Sequence, residues 1–115
     1  MATLVEQGTT TPTLATDTTV TTSSSENPST PKVYVFAIDA GNLVNDEKLT
    51  VTIQSKVRGS GTLRRAWRRV FKHTQGEPNK FSPPVIVPDG TTTFRVIIRQ
   101  DGGTARAFDW VVWSL

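Results

Sequence analysis

The apolar residues of this chain recur with the two-residue period of β-strands. Residues 49–57, LTVTIQSKV, alternate cleanly between apolar and polar side chains and predict a half-buried strand. Its apolar side carries Leu49, Val51, Ile53 and Val57. Residues 33–38, VYVFAI, are apolar on both faces and predict a central strand. TTTFRVIIRQ (91–100) and ARAFDWVVWSL (105–115) predict two more strands, because β-branched and aromatic residues favour extended backbone.

Turn residues separate these segments at intervals of about ten residues. RGSG (58–61) and DGG (101–103) supply glycines for tight turns, and the prolines of FSPPVIVPDG (81–90) fit an edge strand or a loop. Short strands at this spacing are typical of an all-β sandwich or barrel. The pattern therefore predicts a single small β-sandwich, jelly-roll or Ig-like, over residues 31–115.

Residues 1–30 differ in composition from the rest. They contain eleven Thr and four Ser but no aromatic residue, so they bury too little apolar surface to fold alone. Thr and Val still favour extended backbone. These residues are either a disordered tail or, as we favour, an extended N-terminal arm that lies over a neighbouring subunit. The predicted anchors of that arm are Leu4, Val5, Leu14 and Val20.

The segment TLRRAWRRVFK (62–72) fits two secondary structures. Its apolar residues repeat as on an amphipathic helix with a basic side, which would suit nucleic acid or an anionic membrane. As a strand it has arginines on both faces. We favour the strand, because the segment follows a glycine-rich turn, lacks a capping box and lies among β-segments. The residues predicted to contact a protein surface are Arg64, Arg65, Trp67, Arg68 and Arg69.

Composition and charge narrow the function classes. The chain has no cysteine, and no acidic residue lies within three positions of its one histidine, His73, so no metal site, cofactor or catalytic triad is predicted. All thirteen basic residues lie in residues 31–115, which favours phosphate or an acidic protein as partner. Asp109, within AFDWVVW, is expected to pair with Arg95, Arg99 or a neighbouring subunit's arginine. A soluble, non-enzymatic protein is expected.

Several motifs follow one another over most of residues 16–115. After the Thr-rich arm come YVFAIDAGNL, KLTVTIQSKV, GTLRRAWRRVF, QGEP, SPPV and GGTARAFDW. This order resembles small virion proteins of tailed bacteriophages, of the capsid cement or decoration type. The resemblance implies a β-sandwich, often a trimer, that binds the major capsid protein on the outside of the icosahedral head and bridges capsomers.

The same resemblance implies a protein made in the bacterial host cytoplasm and located on the capsid surface of the virion, with no membrane partner. Two alternatives remain open. A basic nucleic-acid-binding β-barrel would place the arginines on phosphates and stack bases on tryptophans. A neck or tail component would also be structural, but its place in the virion would differ.

Overall fold

The computed structural model describes residues 2–22, 30–90 and 93–115. Within these ranges the regular structure consists of nine β-strands without a helix, which confirms the predicted all-β class. The strands are β1 (Thr3–Thr10), β2 (Thr18–Thr22), β3 (Lys32–Asp39), β4 (Lys48–Ser55), β5 (Arg64–Lys72), β6 (Asn79–Phe81), β7 (Val85–Val87), β8 (Phe94–Asp101) and β9 (Phe108–Ser114).

The strands form two antiparallel sheets that enclose one core. Sheet A has the order β1-β9-β3, with β6 and β7 both along the far side of β3, and sheet B has the order β2-β8-β4-β5. The pairs are nested: β1 with β9, β2 with β8, β3 with β6 and β7, and β4 with β5. This is the order of one long hairpin rolled into a jelly roll, and it differs from the ABED and CFG sheets of an Ig domain.

Alternate residues of the central strands fill the space between the sheets. Sheet A contributes Tyr34, Phe36, Ile38, Phe108, Trp110 and Val112, and sheet B contributes Leu49, Val51, Ile53, Phe94, Val96 and Ile98. Tyr34 and Phe94 meet edge to face across the layers, with ring centroids 5.1 Å apart. Val57 was predicted to share the inner face of β4, but it follows the end of that strand and is 99% exposed.

The N-terminal segment belongs to the sandwich instead of leaving it. β1 pairs with β9 and β2 pairs with β8, so each is an edge strand of its sheet. Val5 and Val20 pack against the core of their own chain, whereas Leu4 and Leu14 are exposed. The boundary predicted at residue 30 therefore does not separate these strands from the domain. Edge N–H and C=O groups of β8 and β9 need partners, and the extended Thr-rich segments supply them. Residue 1 and residues 23–29 of the predicted arm lie outside the described residues.

The basic segment is a strand, as predicted, and β5 forms the edge of sheet B. Trp67 and Phe71 pack against the core from this edge. The guanidinium of Arg69 lies 5.9 Å from the centroid of the Phe71 ring, and Lys80 Nζ lies 5.3 Å from it. The helical period is overridden because β4 offers a ladder of backbone hydrogen bonds that an isolated helix of this length cannot match.

The proline-rich segment forms the outer edge of sheet A as two short strands. β6 and β7 pair with opposite halves of β3. Between them, Ser82 Oγ accepts a hydrogen bond from the Phe36 N–H at 2.9 Å, and the Ser82 N–H donates to the Phe36 carbonyl at 2.8 Å. Pro83 and Pro84 follow, where a missing N–H is tolerated at a sheet edge. Of the two predicted forms, an edge strand or a loop, the structure shows short edge strands joined by residues 82–84.

Candidate binding surfaces

The outer face of sheet A is rich in exposed apolar side chains. We call it the apolar face, and it consists of Leu4, Val33, Val35, Phe81, Ile86, Val111 and Trp113. Ile86 is 70% exposed, Phe81 is 65% exposed and Leu4 is 45% exposed. This face exists because β3 and β9 are apolar on both sides, while the core covers only one side of each strand. The sequence predicted a doubly apolar central strand, but not that one side would stay uncovered.

A shallow cavity of about 510 Å³ lies on the apolar face. Phe81, Val111 and Trp113 form its apolar part, and Gln7 and Asp109 form its polar end. Thr9 Oγ1 donates a hydrogen bond to Asp109 Oδ1 at 2.6 Å. An apolar patch bordered by polar groups is a common form of a protein-binding site.

The predicted pairing of Asp109 with Arg95 or Arg99 is wrong. Both arginines lie on the outer face of sheet B, whereas Asp109 lies on the outer face of sheet A. Strands β8 and β9 are consecutive in the sequence, yet the jelly-roll order sends them to opposite sheets. Asp109 and the two arginines are therefore near one another in the sequence but far apart across the sandwich.

The outer face of sheet B has the opposite chemistry. It contains a groove of about 420 Å³, which we call the basic groove. Its lining residues are Asp17, Thr50, Thr52, Gln54, Arg65, Arg68, Ile97 and Arg99. The outward positions of β4 provide the threonines and the glutamine, while β5 and β8 provide the arginines on either side. A small polar floor between two basic walls is thus a direct result of strand alternation.

A β-bulge in β5 decides which arginines face this groove. The register with β4 shifts beside Gln54, so that Arg65 lies opposite Gln54 and Arg68 lies opposite Thr52. Both therefore join the outer face. Strict alternation along β5 would place Arg65 on the side of Trp67, and the bulge reverses that arrangement. Arg64 and Arg69 instead share the side of the inward-facing residues of β4.

The charges in the groove are unequally paired. Arg99 Nε lies 3.2 Å from Asp101 Oδ1, and Arg99 Nη1 lies 3.9 Å from Asp17 Oδ1. Arg65 and Arg68 are exposed and form no ion pair with any residue the structure describes. Gln54 lies opposite Arg65 on one side and opposite Arg95 on the other. Gln54 Oε1 and Arg95 Nε are buried and have no hydrogen-bond partner within the described ranges.

The three tryptophans lie away from the basic groove. Trp110 is in the core and donates its Nε1–H to Thr10 Oγ1 at 3.0 Å. Trp67 packs against the core from the edge of sheet B, and Trp113 is part of the apolar face on the other sheet. Trp110 and Trp67 therefore contribute to the core, whereas Trp113 lies on the outer face of sheet A.

Glu47 is a buried carboxylate that the sequence did not single out. It is 1% exposed, and Arg106 Nε donates to both of its oxygens at 3.1 Å. The N–H groups of Val44 and Thr104 also donate to it, at 3.0 and 3.1 Å. The hydrogen bond from Arg106 lowers the pKa of Glu47 below its ordinary value, although burial acts in the opposite direction. Gly103 lies against this network, because a Cβ at position 103 would overlap the Glu47 carboxylate.

Other site types find no support in the described residues. His73 is exposed, and its Nδ1 accepts a hydrogen bond from the Asp46 N–H at 3.0 Å. No cluster of three or more His, Cys, Asp or Glu side chains suited to a metal ion occurs in residues 2–22, 30–90 and 93–115. The same ranges contain no helix with the length and apolarity needed to cross a bilayer.

No protein-family model, curated protein or solved structure matches the chain. Its function must therefore be inferred from the two outer faces and their chemistry.

Proposed function

We propose that this chain is a non-enzymatic structural protein of a bacteriophage virion, a cement or decoration protein that docks on the icosahedral head through the apolar face. The observation that carries the proposal is the exposure of Phe81, Ile86 and Leu4 on the apolar face, where Phe81 also lines the shallow cavity. Large apolar patches are rare on monomers that function alone, and they commonly mark protein-binding surfaces.

The energetics of this face favour a protein partner. Burying a large apolar side chain is worth about 1.5–3 kcal/mol relative to leaving it in water. Phe81 is 65% exposed and Ile86 is 70% exposed, so about two thirds of that free energy is still available to a partner. The half-buried Trp113 beside them is the residue type that often dominates binding energy at an interface.

The major capsid protein is the partner that the motif resemblance implies. A cement protein needs no catalytic group. It needs a rigid core and a surface complementary to the shell. In the trimer that the resemblance implies, three apolar faces would bind neighbouring capsomers together, and the combined attachment would be far stronger than one contact. The jelly roll recurs in viral capsid domains, but it also recurs in lectins and cupins, so it supports the proposal only by analogy.

The alternative of a nucleic-acid-binding barrel is less well supported. Such a protein needs basic and aromatic side chains on one surface, so that phosphates are neutralised while bases stack. Here the basic groove and Trp113 lie on opposite outer faces. A neck or tail position stays a second structural alternative, which differs from a shell position in the number of copies per particle.

The test is reconstitution on virions stripped of this protein. Wild type and the double variant Phe81→Ser/Ile86→Ser are added back, and bound protein is measured by co-sedimentation. We expect the double variant to bind about 30-fold or more weakly, since loss of a central apolar contact typically costs about 2 kcal/mol or more. Val57→Ser is the matched control, because Val57 is equally apolar and 99% exposed but lies outside the apolar face.

Undiminished binding by the double variant would refute docking through this face. A copy number comparable with that of the major capsid protein supports a shell position. A much smaller number, set by the symmetry of a portal or tail, contradicts it and favours the neck or tail alternative.

A further inference from the structure

We infer that the basic groove binds an extended acidic segment of a protein, whose carboxylates are held by Arg65 and Arg68. This site lies on the outer face of sheet B, on the other side of the sandwich from the apolar face. It does not rest on the proposed function, because it uses none of the residues of the apolar face.

The two walls of the groove differ in how their arginines are paired. Arg65 and Arg68 lie on the same wall of the groove, opposite Gln54 and Thr52 of β4. Neither has an acidic partner in the part of the chain that the structure describes, whereas Arg99 on the other wall has two. A guanidinium presents a planar fork of donors that matches a carboxylate. The unpaired wall is therefore the one that can hold an external anion.

A carboxylate of the chain itself already lies at the edge of this groove. Asp17, from the connection between β1 and β2, lies 3.9 Å from Arg99, and its side chain is 69% exposed. An exposed pair at this distance is weak. The groove therefore accommodates a carboxylate, and Asp17 is held too loosely to compete strongly with a ligand.

The groove suits a peptide better than nucleic acid. The groove floor offers hydroxyls of Thr50 and Thr52 and the amide of Gln54. A peptide supplies N–H donors as well as acceptors, whereas phosphates supply acceptors only. No aromatic residue occupies an outward position of β8, β4 or β5, so bases find no stacking surface here.

The sheet geometry suggests the pattern of the acidic segment. In an extended chain, alternate side chains lie on one side and repeat every 6.6–6.8 Å or so. Acidic residues at every second position would therefore present successive carboxylates to one wall of the groove. The probe that follows from this is a fluorescent peptide of alternating Glu and Thr, with a Gln and Thr peptide as the uncharged control.

The experiment measures the affinity of the full chain for the Glu and Thr peptide by fluorescence anisotropy. Arg65→Gln/Arg68→Gln should weaken binding about tenfold or more, because hydrogen bonds to charged groups are worth about 1.5–3 kcal/mol. The matched control is Arg64→Gln/Arg69→Gln, which removes the same charge from the same strand but on its other side. It should change affinity less than about threefold, as expected for long-range, screened charge alone.

Asp17→Asn provides an independent prediction. It frees Arg99 of one carboxylate and should tighten peptide binding by about 1.4- to 5-fold, the factor that corresponds to an exposed ion pair. Thermal melting of each variant confirms that it is folded.

Three results would overturn the inference. They are equal losses in the two double variants, no measurable binding of the Glu and Thr peptide by wild type, and tighter binding of a single-stranded oligonucleotide of equal charge. Because Phe81→Ser/Ile86→Ser leaves the groove intact, that variant should bind the peptide like wild type. Failure of this inference is thereby distinguishable from failure of the proposed docking surface.

Discussion

Replacing Glu47 with Gln should destabilise the protein strongly. Glu47 is buried and receives hydrogen bonds from Arg106 and from two backbone N–H groups, Val44 and Thr104. Glutamine has nearly the same shape, so the substitution removes the negative charge without opening a cavity. What remains is a guanidinium whose counter-charge is gone and an amide that places donors where acceptors are needed.

The expected loss can be bounded from the structure. Removing one partner of a buried ion pair typically costs about 3–5 kcal/mol. The Arg106 side chain is 33% exposed, so water partly hydrates the stranded charge and we expect the lower end, about 3 kcal/mol. For a domain of this size each kcal/mol lowers Tm by about 4 °C, which gives a decrease of about 12 °C. Urea unfolding measures the free energy, and calorimetry measures Tm.

The pH dependence tests the cause of the loss. The hydrogen bond from Arg106 lowers the pKa of folded Glu47 below its ordinary value of 4.5, so the fold favours the charged carboxylate. This stabilisation is fully present above pH 4.5 and is lost as pH falls through the lower pKa of the folded state. Gln does not titrate. The stability difference between wild type and Glu47→Gln should therefore shrink between pH 7 and pH 3.

Glu77→Gln is the matched control, because Glu77 is exposed and the same chemical change there should alter stability by less than about 0.5 kcal/mol. A difference between wild type and Glu47→Gln that stayed constant from pH 7 to pH 3 would contradict the ion-pair explanation. So would a loss no larger than that of the control.

Three further predictions concern the framework. Gly103→Ala should cost about 2 kcal/mol or more in urea unfolding, because Gly103 has a φ of 67° and no room for a Cβ, whereas Gly76→Ala, with open space around it, should be nearly neutral. Ser82→Ala leaves the buried Phe36 N–H without its acceptor; we expect a loss of about 1–3 kcal/mol and faster hydrogen exchange of that amide, and unchanged exchange would contradict this. Deleting residues 2–22 removes two edge strands and the packing of Val5 and Val20, so the truncated protein should melt well below wild type; an unchanged Tm would show that these strands add nothing to the fold.

The contrast between the two outer faces follows from which strands are central. β3 and β9 are apolar on both sides, so sheet A presents an apolar surface outward. β4 alternates strictly, so sheet B presents Thr50, Thr52 and Gln54 between rows of arginines. The apolar face and the basic groove lie on opposite sides of the sandwich, so a substitution in one leaves the other unchanged. The two proposed surfaces can therefore be tested separately.

Much of the strand content could be predicted because it depends on short-range alternation. The buried positions of β4 and the central place of β3 follow from side chains that point to opposite sides at successive positions. The strand conformation of the basic segment also followed from its β-rich surroundings, although its helical period indicated otherwise.

The all-β class and the position of most strands thus follow from the order of amino acids alone. What those strands face depends on how the two sheets are assembled. Register placed Arg65 beside Arg68 through a one-residue bulge, and sheet assignment sent Asp109 to the opposite side from Arg99. Glu47 and Arg106, 59 positions apart, meet only because two loops close the same end of the sandwich. Alternation is local, whereas pairing, register and loop contacts join distant residues, and local pattern carries no record of them.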